Sequence, residues 1–224
     1  MTVSFPSAVG GARPQARRCA GRDADVADGS YSQRMSEIDL LSSVLTKTGD
    51  LIEGVADDQL DRPTPCPDYD VAAMVDHLVG WVQAFEAGAN GRTYGGDPSA
   101  FHAGDDAAGR FRAAADGLVA GWRDNGMDRT VSVTGGGEAP GEMVFSMTLM
   151  EYLTHGWDLA VATGQPVPYS DDEAEQVLAR AEVTLPPQYR GEGMPFGDIV
   201  PVADDAPAID RLIGFMGRDP GATP

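Results

Sequence analysis

The stretch from Met143 to Thr163, MVFSMTLMEYLTHGWDLAVAT, is apolar almost throughout, and besides Tyr152 its ionisable groups are Glu151, His155 and Asp158. On a helix, at roughly 100° per residue, these three fall within an arc of about 60°. Val144, Met147, Leu159 and Ala162 share that side, while Phe145, Leu149, Leu153 and Val161 cover much of the remainder. A helix that is apolar nearly all round is buried, and its polar residues are buried with it. An uncompensated carboxylate there costs several kcal/mol, so something must offset it. Two arrangements do so. Glu151 and His155, at i and i+4, point the same way and could hold one divalent ion, as helix bundles commonly do. Alternatively, a buried glutamate–histidine pair, or a histidine bonded to a backbone carbonyl, settles the same account without metal. The spacing is not HExxH, where a glutamate beside the first histidine serves as base, and a zinc-protease site is excluded.

A third ligand would have to come from a facing element. His77, in DVAAMVDHLVGWVQAF, sits beside Met74 and Trp81 at the edge of the apolar arc of Val71, Val75, Leu78 and Val82, where it can face a bundle seam. His102 lies among Ala, Gly and Asp near a helix start, and Asp76 is expected to face solvent. Asp158 is placed to hold a ligand histidine through its second ring nitrogen, or to make a plain buried hydrogen bond. Cys66, between Pro65 and Pro67, is either a thiol activated near a helix N-terminus or, more simply, a small buried spacer. Trp81 and Arg190 are the candidate substrate-binding side chains, with core packing and a surface position as their plainer alternatives. Arg180 and Arg211 are open to the same two readings as Arg190.

These residues need elements to position them. Apolar residues at three- and four-residue steps predict a first helix from Ser36 to about Gly54. The segment DRPTPCPDYD, 61–70, has three alternate prolines that hold it extended, after which Asp68 or Asp70 caps a second helix, Val71 to about Ala87. A third helix is predicted over roughly Pro98–Asn125, with Phe101, Phe111, Leu118, Val119 and Trp122 in the core. Thr130–Thr134 is the best strand candidate, and Gly135–Gly137 reads as a turn because it lacks the context of a phosphate loop. A fourth helix covers about Glu142–Thr163, a fifth starts near Ser170, and a short one lies within Asp204–Gly217. The expected fold is all-α: an antiparallel four-helix bundle with an extra short C-terminal helix and room for one short strand or hairpin.

Composition narrows the functions. Sixteen basic residues against 35 acidic ones leave a net charge of −19 over 224 residues, which argues against nucleic acid and anionic membranes as partners. No apolar run approaches the roughly 20 residues that cross a bilayer. Two cysteines, Cys19 and Cys66, cannot make a disulfide framework. Lys47 is the sole lysine beside fifteen arginines. Residues 1–34 carry five of those arginines and three aspartates without apolar periodicity, and are expected to form a disordered tail ahead of a domain spanning 35–224. That domain keeps 11 basic and 32 acidic residues, a net −21.

Two segments, PTPCPDYDVAAMVDHLVGW and EYLTHGWDLAVATGQPV, carry a resemblance. Over about residues 36–218 the chain resembles the DinB-like superfamily of metal-binding bundles and, more closely, is similar to the mycothiol-dependent maleylpyruvate isomerase N-terminal domain family. That family's triad, one histidine on the second helix and Glu-x-x-x-His on the fourth, falls on His77, Glu151 and His155. The resemblance implies a cytoplasmic protein whose divalent metal, most often zinc, lowers the pKa of a low-molecular-weight, mycothiol-type thiol for addition to an electrophile. It implies a transferase or isomerase and allows a homodimer; the alternative is a bundle that holds metal or a small ligand without catalysis. Beyond Gly164 the chain carries FGDIVPVADDAPAIDRLIGFMGRDP, unlike the separate C-terminal domain of the isomerase, so the resemblance does not extend to that enzyme's substrate.

Overall fold

Four long helices pack around one apolar interior in the computed structural model, which describes residues 36–191 and 196–222. The tail expected over 1–34 lies outside the described residues. The helices are α1 (Glu37–Glu53), α2 (Val71–Ala89), α3 (Ala107–Asn125) and α4 (Gly141–Thr163). A shorter α5 (Asp171–Thr184) lies against α4, and α6 (Ala208–Phe215) lies against α5. The all-α bundle expected from the sequence is the fold. No helix among the described residues is long and apolar enough to cross a membrane.

Caps set where the helices begin. Ser36 accepts from the Asp39 amide at the start of α1, and Asp70, the second of the two expected caps, accepts from the Ala73 amide at the start of α2. At α5, Ser170 and Glu173 form a capping box, each satisfying the other's backbone N–H. Gly164, at φ 72°, takes the left-handed conformation that ends α4.

The packing order follows from which faces meet. Both α1 and α2 pack against α3 and against α4, so α1 and α2 sit across a diagonal and the proline-rich connector crosses one end. On α2, His77 meets His155 of α4 while Phe85, two turns on, meets Tyr152, so these helices run antiparallel. Arg112, near the start of α3, binds Asp50 and Glu53 at the end of α1, so that pair is antiparallel too. The bundle is thus two antiparallel pairs side by side. Phe111, Leu118, Val119 and Trp122 are buried as expected, and Phe101 is half-buried against the same core.

Three expectations shift. The third helix begins at Ala107 rather than Pro98, because Pro98–Ala100 is a separate single turn, Phe101 is extended and Gly104 has φ 64°. The strand keeps only Thr130–Val131 (β1), paired antiparallel with Ala139–Pro140 (β2) around the glycine turn. Farther along, Val133 leaves that ladder, and its carbonyl accepts from the Tyr94 amide at 3.1 Å. Asp76 is half-buried rather than wholly solvent-facing: its carboxylate accepts from the Ala103 amide at 2.8 Å and pairs with the exposed His102 at 2.8 Å, pinning the loop before α3.

Candidate metal centre

The bundle brings His77 from α2 against Glu151 and His155 from α4. One ligand atom from each lies within 4.8 Å of the others. His77 Nε2 is hydrogen-bonded to Glu151 Oε1, and His155 Nε2 is 3.7 Å from the same oxygen. Donors around a tetrahedral zinc ion, at about 2.1 Å each, are spaced by about 3.4 Å, so small side-chain shifts would complete the site. His77 is 7% exposed and the Glu151 side chain 22% exposed, which leaves the carboxylate at the rim.

The outer faces of both imidazoles test whether the set suits a metal. An imidazole ligating through Nε2 must carry its proton on Nδ1 and needs an acceptor there. His77 Nδ1 is 3.0 Å from the Tyr69 hydroxyl, and His155 Nδ1 is 2.9 Å from Asp158 Oδ2. The Tyr69 ring also packs against His77, tilted by 35° with centroids 4.7 Å apart. Both rings are therefore oriented with Nε2 toward Glu151, and the donor set fits a divalent ion. Burial alone would raise the Glu151 pKa, but His155, His77 and the more distant Arg218 outweigh it and hold the carboxyl at about 2.

Asp158, wholly buried, has a second partner that the sequence did not single out. Arg218, from the segment after α6, places Nη2 3.2 Å from Asp158 Oδ2, and its Nη1 donates to the Met216 carbonyl at 2.8 Å. Burial pulls the Arg218 pKa down, but Asp158, Cys66 and Glu151 more than restore it, so the guanidinium stays charged. Cys66 is close enough to His155 and Asp158 to form a second ligand group. There Arg218 already supplies the positive charge, and burial pushes the thiol pKa up against the pull of that arginine. Cys66 is buried and lines the cavity beside the triad, and burial raises its thiol pKa rather than lowering it.

A cavity of about 300 Å³ opens beside the triad, at the lower end of the range for small-molecule sites. Trp81 and Phe85 of α2 and Met147 and Met150 of α4 form its inner wall, while Pro65, Phe196 and Met216 contribute from outside the bundle. Trp81 is thus on the cavity wall as well as in the core. Arg190 is elsewhere: its Nη1 donates to the Phe215 carbonyl at 2.7 Å and its guanidinium lies 4.2 Å from the Phe215 ring centroid. It ties the loop after α5 to α6. Arg180 and Arg211 pair with Glu37 and Glu175, and neither lines the cavity. Tyr69 and Arg218 escaped the sequence reading because neither lies on a periodic helix face. The one signal for Tyr69 was its place in the proline-held connector two residues before α2.

Residues 41–160 match the family model described as the mycothiol maleylpyruvate isomerase N-terminal domain. Two uncharacterized proteins of Mycobacterium tuberculosis, from strains CDC 1551 / Oshkosh and ATCC 25618 / H37Rv, are each 34% identical to the chain over 187 residues. Each match covers 75% of this chain and 90% of the relative. No solved structure matches.

Proposed function

The chain belongs to the mycothiol maleylpyruvate isomerase N-terminal domain family, and from that premise we propose a zinc-dependent transferase or isomerase acting on a low-molecular-weight, mycothiol-type thiol and an electrophile. The observation that carries this reading is the triad itself: three donors converge on the wall of a cavity, with an oxygen holding the Nδ1 of each imidazole. His77, Glu151 and His155 would hold the ion. A divalent metal with an open position lowers the pKa of a bound thiol and so supplies thiolate at neutral pH.

The chain's own residues do the rest. Tyr69 and Asp158 keep each Nδ1 proton occupied, so that neither ring turns its donor inward. Trp81, Phe85, Met147 and Met150 exclude water and seat the apolar part of the electrophile. A reduced thiol pool places such a reaction in the cytoplasm.

Metal content of the purified chain beside His155→Ala tests the centre. The wild type should carry close to one divalent ion per chain and the variant far less; equal content in both refutes it. Catalysis is tested separately, by following thiol consumption against a panel of electrophiles before and after chelation. Turnover that is absent leaves a bundle that binds metal without acting as an enzyme, and turnover indifferent to the chelator refutes a role for the metal in the reaction.

A further inference from the structure

We infer that Arg218 is a positioning residue for the metal centre, holding Asp158 and, through it, the ring of His155. The inference rests on the reading that the triad binds a divalent ion. Asp158 is fully buried, and a carboxylate there needs a compensating charge. His155 Nδ1 and Arg218 Nη2 both reach the same oxygen, Oδ2, at 2.9 and 3.2 Å. The guanidinium therefore fixes the rotation of the carboxylate that orients His155.

Arg218 is itself held. Its amide donates to the Ile213 carbonyl of α6 at 3.0 Å and its Nη1 to Met216 at 2.8 Å, while α6 rests on α5. The chain of contacts runs from the C-terminal helix through Asp158 of α4 to His155. Removing the guanidinium leaves Asp158 with His155 alone and frees the carboxylate to turn. The imidazole then loses the fixed direction that points Nε2 at Glu151.

Zinc and cobalt titrations of the full chain against a chromophoric chelator test this. Asp158→Asn should weaken zinc binding by about 10–100-fold, as outer partners of ligating histidines do, and R218M by about tenfold. R218K, which keeps the charge, should recover most of the loss. Because Arg218 acts through Asp158, the double variant should bind no more weakly than D158N alone. The cobalt absorption spectrum should change in R218M, and the metal-induced rise in melting temperature should shrink; a purely structural role would lower apo and metal-loaded melting equally. If R218M does not fold, R218Q carries the same expectations. An R218M affinity equal to wild type, or losses that add in the double variant, overturns the inference while the metal reading stands. A wild type that takes up no zinc overturns both.

Discussion

Replacing Lys47 by Met should cost more stability than any other single charge removal on α1. Glu173 is 2% exposed and accepts from Lys47 Nζ at 2.5 Å, Ser43 Oγ at 2.6 Å, the Ser170 amide at 2.7 Å and Ser170 Oγ at 3.0 Å. Losing one partner of a buried pair costs roughly 3–5 kcal/mol, and a charge-assisted hydrogen bond contributes about 1.5–3. Three donors survive in K47M, and the lysine is 27% exposed, which places the loss at about 2–3 kcal/mol. For a chain of this size that is roughly 5–10 °C in Tm.

The pH dependence carries a definite sign. Burial pushes the Glu173 pKa up, but the hydrogen bonds from Lys47, Ser43 and Ser170 and the lysine charge hold it below its ordinary value. A carboxyl depressed in the folded state stabilises fully above its unfolded pKa, about 4.3, and loses that contribution as pH falls through its folded value. The gap between wild type and K47M should therefore be widest near neutrality and close as the medium is acidified below about pH 4. Urea unfolding of both chains in chelator, followed by tryptophan fluorescence at several pH values, measures it. A gap below about 0.5 kcal/mol at neutral pH, the range of an ordinary surface substitution, or one that widens toward acid, refutes the reasoning.

The other expectations concern the centre and its supports. Tyr69→Phe keeps the ring on His77 but removes its oxygen, so zinc affinity should fall by about 10–100-fold while far-UV circular dichroism stays unchanged. Zinc at a hundred times its Kd should stabilise the chain by about 2.7 kcal/mol, roughly 5–11 °C by thermal melting. His77→Ala should abolish that gain; a gain that persists would remove His77 from the ligand set. A Cβ on Gly156 would fall 1.8 Å from the Tyr169 hydroxyl, which is hydrogen-bonded to Thr48 Oγ1 and the Tyr152 carbonyl. Gly156→Ala should therefore cost about 1–3 kcal/mol in denaturant unfolding.

How far the sequence foretold all this depends on whether a residue's neighbours are local. The apolar shell of α4 made Glu151, His155 and Asp158 conspicuous, because burial of a helix is written in its own periodicity. His77 was readable for the same reason. Residues 98–106 misled because a proline followed by alanines and a serine reads as a helix start, whereas Pro98 packs its carbonyl against Gly80, within 2.3 Å of where a Cβ would stand. That contact spans two elements and leaves no local trace. Arg218 lies sixty residues from Asp158, and Asp76 finds its partners beyond its own helix. Pairings of that kind are decided by tertiary packing, which propensity does not encode.

The cavity has walls of two kinds. Trp81, Phe85, Met147 and Met150 stand on the helices that also carry the ligand set, whereas Pro65, Phe196 and Met216 belong to stretches outside any helix or strand. Exchanging residues of the second kind can remodel what enters while the donor atoms keep their places, since such stretches tolerate change more readily than packed helices. One scaffold could then be retuned to a succession of guest molecules by editing its edges, with the three donor side chains inherited intact.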